Sequence, residues 1–342
     1  MGEPPYDALL VVSFGGPEGP EHVMPFLERV TRGRGVPRAR LEEVATHYHH
    51  FGGRSPINDR CRELVEALRV ELPGRGLDLP VYWGNRFWDP LLPDVLRRMS
   101  EAGIRRALAF VTSGYGSYSG CRAYLESIAA ARLEVGPDAP RVDKLRVFFD
   151  HPGFVAAVSD RVREALGRIG PDARSVVRPV FTAHSVPISM ARAGPYVDQL
   201  RETCRLVAEE TGLGEWDLVW QSRSGPPQVP WLEPDVLSHL RTLYDRGVAQ
   251  VLLIPAGFVS DHMEVVYDLD HEAAALARSL GMHLERAGTA GAHPRFVQMI
   301  GELVEERTAG RARASLSPLG PAPDVCPADC CPAPVRPTRP GS

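Results

Sequence analysis

The sequence predicts an α/β protein made of two similar domains, each a parallel sheet covered by helices on both faces. Apolar strand-like runs alternate with amphipathic helical patterns along almost the whole chain, and such alternation is typical of parallel sheets. The two halves also share a sequence pattern: residues 93–96, Gly103, a strand and residues 114–117 recur in order as residues 234–237, Gly247, a strand and residues 257–260. We therefore expect two related domains with a cleft between them.

The predicted elements follow from apolar periodicity and from Gly and Pro at the turns. The predicted strands cover residues 8–14, 79–83, 107–112, 145–149, 176–181, 218–220 and 248–255. The predicted helices cover residues 21–30, 41–50, 59–72, 93–102, 120–131, 153–169, 195–210, 234–246, 263–280 and 295–306. We place the first domain at residues 1–150, the second at 151–308, and a tail at 309–342.

Bulk composition narrows the class of protein. The chain has 342 residues, which is enough for two domains, and 44% of them are hydrophobic. A net charge of −4 gives no support for a nucleic-acid surface. No apolar run is long enough to span a bilayer, and the N-terminus does not have the pattern of a signal peptide. We expect a cytoplasmic protein that is a monomer or a weak dimer.

Two polar residues follow strands of the second domain. His184 comes after the strand 176–181, and Glu264 comes after the strand 248–255. Ligands of open parallel sheets bind beyond the carboxyl ends of the strands, so these side chains are candidates for a site. A satisfied structural histidine and a solvated acidic surface are the alternative interpretations.

An acidic ladder starts at Glu264. On an α-helix Glu264, Asp268 and Glu272 would share one face at i, i+4 and i+8, where like charges repel. A bound cation would offset that repulsion, because carboxylate oxygens are good metal ligands.

Nucleotide chemistry has weaker support. The glycines of residues 114–120 follow a strand and precede a helix, which resembles a loosened dinucleotide fingerprint. The third glycine is one place late, however, and no Walker loop is present.

Five runs resemble motifs of the ferrochelatase family and occur in the same order as in that family: residues 10–17, 51–58, 182–187, 220–225 and 255–264. The resemblance covers the chain from about Tyr6 to Glu306. The variants are most similar to the actinobacterial branch, whose members act as coproporphyrin ferrochelatases. The resemblance implies two Rossmann-like, chelatase-type domains with the porphyrin between them. It also implies insertion of Fe²⁺, as substrate, into coproporphyrin III without ATP. Protoporphyrin IX as substrate, a cobalt or nickel chelatase, and a haem- or metal-binding module without turnover are the alternatives.

The resemblance also implies roles for individual residues. His184 and Glu264 match the family's pair at the metal, and Asp268 and Glu272 match its outer acidic row. Residues that match the porphyrin site and its basic loop are Tyr48, Ser55, Tyr124, Arg32 and Arg34. Phe14 falls where some relatives carry an iron-ligating tyrosine, and phenylalanine cannot ligate.

The expected mechanism divides two tasks between two side chains. A neutral His184 accepts the pyrrole protons while Glu264 delivers iron, and we expect the two groups to face each other across the tetrapyrrole. Bending of the porphyrin would expose its nitrogen lone pairs to the metal.

The tail carries three crowded thiols, Cys326, Cys330 and Cys331. The spacing suggests a metal or cluster site, and the resemblance implies a candidate [2Fe–2S] cluster. Such a cluster normally has four thiolates, so the fourth would come from Cys121, Cys204 or Cys61, or be another atom. Zinc and unligated thiols are the alternatives. Without a metal, we expect the Pro-rich tail to be disordered.

Overall fold

A computed structural model describes residues 5–170 and 176–334. The first half carries a parallel sheet and its helices: β1 (Ala8–Ser13), α1 (Pro20–Val30), α2 (Arg38–His50), α3 (Ile57–Gly74), β2 (Val81–Asn85), α4 (Leu92–Glu101), β3 (Arg106–Val111), π1 (Tyr118–Arg122), α5 (Ala123–Val135) and β4 (Arg141–Lys144). Here π1 is a short π-helical segment that leads into α5.

The second half repeats this plan. Its elements are α6 (Pro152–Ile169), β5 (Arg178–His184), α7 (Ile188–Arg192), α8 (Tyr196–Thr211), β6 (Asp217–Gln221), α9 (Val236–Asp245), β7 (Gln250–Ile254), α10 (Met263–Val265), π2 (Val266–Ala273), α11 (Ala274–Leu280), β8 (His283–Arg286) and α12 (Pro294–Thr308). The strand orders are β2-β1-β3-β4 and β6-β5-β7-β8, with every pair parallel. The two-domain α/β architecture expected from the sequence is therefore confirmed, whereas the boundary near residue 150 stays a prediction.

The two halves share one apolar core. The ring centres of Phe148 and Phe296 lie 5.6 Å apart, and those of Phe110 and Phe148 lie 5.3 Å apart. Phe296 belongs to α12 of the second half, and all three rings are buried. Helix α12 also pairs with the first half through Arg146 and Glu306, whose atoms Nε and Oε2 are 2.7 Å apart. The halves are thus packed directly against each other rather than linked by chain alone.

The structure corrects two strand predictions. The run 145–149 was expected to be a strand because it is apolar, but the strand is β4, just before it, and Leu145, Phe148 and Phe149 are buried core residues. Strand β8 was not predicted, because an edge strand of mixed polarity lacks the apolar signal of a buried strand.

The tail differs from the expected disorder over its described part. Ser315 donates a hydrogen bond to Asp150, and Ala314 accepts one from Arg146 at 2.7 Å, so residues 311–316 pack along the junction of the halves. Residues 335–342 of the predicted tail lie outside the described residues.

Within residues 5–170 and 176–334, no helix combines the length and the apolar character that crossing a bilayer requires.

Candidate active site

His184 and Glu264 meet at the carboxyl edge of the second sheet. His184 is the last residue of β5, and Glu264 lies in α10, after the neighbouring strand β7. The atom Nε2 of His184 is 3.5 Å from Oε2 of Glu264. The side chain of His184 is 30% exposed and that of Glu264 is 45% exposed. They therefore line an open cleft in which a ligand can reach both. The strand order reverses between β5 and β7, which is where sheets of this class bind ligands.

The contact corrects the expected arrangement across a porphyrin. At 3.5 Å no ring fits between the imidazole and the carboxylate, and both side chains come from one half of the molecule. They would therefore act on the same face of a bound tetrapyrrole.

The electrostatics correct the expected neutral state of His184. Burial alone would lower the pKa of His184, but attraction to Glu264 outweighs it and raises the pKa to about 9. Burial would likewise raise the pKa of Glu264, but His184 lowers it to about 2. Without ligand the two groups form an imidazolium–carboxylate pair at neutral pH.

The acidic row continues outward along π2. Burial, together with the neighbouring charges of Glu264 and Glu272, raises the pKa of Asp268 to about 7. Burial followed by Asp235 raises the pKa of Glu272. Residues 266–273 form a π-helix, in which hydrogen bonds join residues i and i+5. The continuous α-helix predicted over residues 263–280 is therefore wrong in this segment. Such π-helical turns are frequent at functional sites.

Helix α2 of the first half packs against π2, which carries this row. The Tyr48 hydroxyl lies close enough to Glu264 for that carboxylate to add to the effect of burial, and both raise the pKa of Tyr48. The ring of His47 stacks on Tyr267 at 3.9 Å, and His50 lies 4.0 Å from His271. Both halves therefore contribute to one cleft.

Arg86 lies at the matching edge of the first sheet, and sequence reasoning missed it. Its guanidinium carbon is 4.6 Å from the ring centre of Tyr124 and 5.9 Å from that of Phe14. Its Nε donates to Ser127 Oγ at 2.9 Å, and burial lowers its pKa. It forms no ion pair with a carboxylate among the described residues, so this cation remains available to an anion. The signal available in the sequence was a cation directly after an apolar strand.

The other predicted porphyrin-site residues, Arg34, Arg32 and Ser55, differ in their surroundings. Arg34 is close enough to affect the pKa of Arg86, whereas Arg32 is exposed and has no ion-pair partner within the described chain. Ser55 is only 3% exposed and packs against the turn at Gly16, so its hydroxyl is not open to the cleft.

Cys121 is the cysteine outside the tail whose charge affects the pKa of the tail thiols. Sγ of Cys330 and Cys331 are 3.6 Å apart, and burial followed by Cys330 and Cys121 raises the pKa of Cys326 to about 11. Cys61 and Cys204 are buried in other surroundings. In the described ranges, no three His, Cys, Asp or Glu side chains already converge as metal ligands.

Known structures support the fold. SirB from Bacillus subtilis superimposes with a TM-score of 0.53 at 14% identity, covering 89% of this chain and 96% of that one. At this identity the likeness shows the fold alone.

Sequence relatives are much more similar. A ferrochelatase of Rhodopirellula baltica is 55% identical over 96% of this chain and 94% of its own length. A coproporphyrin III ferrochelatase of Nocardia farcinica is 52% identical over 98% of this chain and 99% of its own. The sequence model of the ferrochelatase family matches residues 6–308. The chain therefore belongs to the ferrochelatase family.

Proposed function

We propose that this protein is a coproporphyrin III ferrochelatase that inserts Fe²⁺ into coproporphyrin III, acting in the cytoplasm as a monomer or a weak dimer. The observation that carries the proposal is the contact between His184 and Glu264 at the carboxyl edge of the second sheet, matched by Arg86 and its aromatic neighbours at the same edge of the first sheet. High similarity to coproporphyrin III ferrochelatases over nearly the whole chain supports this substrate over protoporphyrin IX.

The first half binds and orients the porphyrin. Phe14 is partly exposed and offers ring surface to a flat aromatic ligand, whereas Tyr124 is buried and supports Arg86 from below. Arg86 offers a cation to a propionate. Arg34 adds a second positive charge nearby. An arginine recognises a carboxylate well, because its donors form a planar fork.

The second half handles the metal and the protons. Fe²⁺ that binds Glu264 neutralises the carboxylate that keeps the pKa of His184 high. His184 then gives up its proton to Asp268 more easily, and its free nitrogen can accept the two pyrrole protons one after the other as the metal enters the ring. Asp268, whose pKa lies near neutrality, is suited to pass these protons outward in turn towards Glu272.

Steady-state insertion of Fe²⁺ tests the proposal. We expect a higher kcat/KM with coproporphyrin III than with protoporphyrin IX, because the extra carboxylates of coproporphyrin meet the cations of the first half. Equal values would remove the substrate assignment, and absence of insertion with both porphyrins would remove the function.

We also propose that Cys121, Cys326, Cys330 and Cys331 hold a [2Fe–2S] cluster. The proximity of Cys121 to the tail thiols supports it as the fourth ligand, and the cluster would fix the tail to π1. When bound, the cluster supplies redox-active iron and a visible absorption spectrum.

A pair of cysteine variants tests the cluster. Freshly purified protein should absorb in the visible region, and Cys121→Ser should lose or alter that absorption. The control Cys204→Ser should keep it, because Cys204 is buried in α8 away from the tail thiols. A colourless wild-type protein, or equal spectra of the two variants, would contradict the assignment.

A further inference from the structure

Gln221, the last residue of β6, contacts three parts of the active site. Its backbone oxygen accepts a hydrogen bond from the Ser185 nitrogen at 2.8 Å, next to His184. Its side-chain Nε2 donates to the Glu264 backbone oxygen at 2.9 Å and to Asp268 Oδ2 at 3.3 Å. One residue therefore joins the end of β5 to the beginning of the acidic row.

The orientation of this amide follows from its neighbours. The Glu264 carbonyl accepts hydrogen bonds only, so the nitrogen of Gln221 must face it. The residue is 1% exposed, and its Oε1 has no partner among the described residues. An unpaired buried oxygen lowers stability, so this glutamine is a poor choice for stability alone.

Ser222 reinforces the same contact. Its hydroxyl donates to Asp268 Oδ2, and its φ of 61° lies in the left-handed region that favours glycine. Non-glycine residues in that region occur where the surroundings hold them, and they cluster at ligand sites.

The two residues that the Gln221 amide contacts, Glu264 and Asp268, lie on either side of the start of π2. Glu264 belongs to α10, and Asp268 lies in the wider π turn that follows. A side-chain donor that inserts at the Glu264 carbonyl gives that oxygen a partner from outside the helix, which favours the change to wider turns. The direction of two successive carboxylates then depends on the Gln221 amide.

We propose that Gln221, assisted by Ser222, is a positioning residue for the incoming metal ion: it holds Glu264 and Asp268 in line along the iron path. This inference deepens the proposed function and rests on it. Gln221 touches neither the pyrrole nitrogens nor the porphyrin carboxylates in this account, so its loss affects the use of iron and spares porphyrin binding.

The test is steady-state insertion into coproporphyrin III with each substrate varied in turn. We expect Gln221→Leu to raise the KM for Fe²⁺ about tenfold, the effect of losing a hydrogen bond to a charged group. The KM for the porphyrin should stay at the wild-type value. Ser222→Gly should also raise the KM for Fe²⁺ while it keeps or increases the Tm, because it relieves the left-handed backbone.

Gln199→Leu is the matched control. Gln199 is a buried glutamine of the same half whose Oε1 accepts from Gly116 N at 2.7 Å, away from the acidic row. It should lower the Tm and leave the KM for Fe²⁺ unchanged. If Gln221→Leu and Ser222→Gly keep a wild-type KM for Fe²⁺, or if the KM rises equally in Gln199→Leu, the positioning role is wrong.

Glu264→Gln separates this result from the function itself. If Glu264→Gln is inactive while Gln221→Leu and Ser222→Gly use iron normally, only the positioning role fails. If Glu264→Gln retains full turnover, the proposed function of the site fails, whatever Gln221→Leu shows.

Discussion

The two halves carry the same scaffold and opposite chemistry at its edge. Ser13 at the end of β1 pairs with Asn85 at the end of β2. The equivalent pair in the second half is Ala183 of β5 with Trp220 of β6. Asn85 and Trp220 then bridge onto the segments that lead into α4 and α9 in the same way. By this correspondence Phe14 occupies the place of His184.

The next position makes the contrast sharper. Arg86 follows Asn85 as Gln221 follows Trp220. A cation between aromatic rings stands in the first half where a neutral amide beside a carboxylate row stands in the second. On the proposed function, the duplicated fold would provide one edge for a flat anion and one edge for a cation. The proposed roles of the two halves differ because a few strand-end residues differ.

The largest effect is expected from the second half. His184→Ala should reduce insertion about 10²- to 10⁴-fold, the range for loss of a general acid–base group. Porphyrin binding, measured by fluorescence quenching, should persist because the cations of the first half remain. His239→Ala is the control, since His239 pairs with Asp217 outside the cleft. Near-wild-type turnover of His184→Ala would contradict the account.

The next effect belongs to the first half. Arg86→Leu should raise the KM for coproporphyrin III about 10- to 100-fold, because it removes a charged hydrogen-bond donor. The KM for Fe²⁺ should change little. Arg98→Leu, on the outside of α4, serves as the control. If Arg86→Leu impairs the use of iron instead, the two halves do not divide the reaction as proposed.

The ion pair of the second half predicts a pH dependence of stability. The raised pKa of His184 adds stability that is complete below pH 6.5 and is lost as the pH rises through about 9. The lowered pKa of Glu264 adds stability that is complete above pH 4.5 and is lost as the pH falls through about 2. The Tm difference between wild type and Glu264→Gln should therefore be greatest between pH 4.5 and 6.5. A difference that grows towards pH 9 would show that the pair is absent.

The smallest effect is expected from a change at Phe14, the position that corresponds to His184. Phe14→Tyr should permit insertion, because the ring keeps its packing against Phe87, 4.7 Å away. The added hydroxyl gives the product iron an oxygen ligand, so the absorption spectrum of the product complex should shift. An unchanged spectrum would mean that Phe14 does not face the metal.

The sequence was informative where a strong rule applied. His184 and Glu264 follow apolar strands, and ligands of parallel sheets bind beyond the carboxyl ends of the strands. The sequence therefore predicted correctly that the two residues lie in one place. The contact distance and the charge state could not be predicted, because both depend on side-chain positions across two strands. The π turn of residues 266–273 was also hidden, since its residues keep a spacing that fits an α-helix equally well.

Other errors have equally local causes. Strand β4 is polar and lies at an edge, while the apolar run after it fills the core as irregular chain. Arg86 and Gln221 were overlooked because single polar residues after short strands are common. Only the pairing of each with its neighbours reveals a role.

The central claim is that the first half holds the porphyrin while the second half carries the chemistry. The most direct measurement titrates coproporphyrin III into Glu264→Gln and then adds Fe²⁺ to the same sample. We expect a wild-type Kd for the porphyrin and no insertion. Normal insertion, or loss of porphyrin binding, would contradict it.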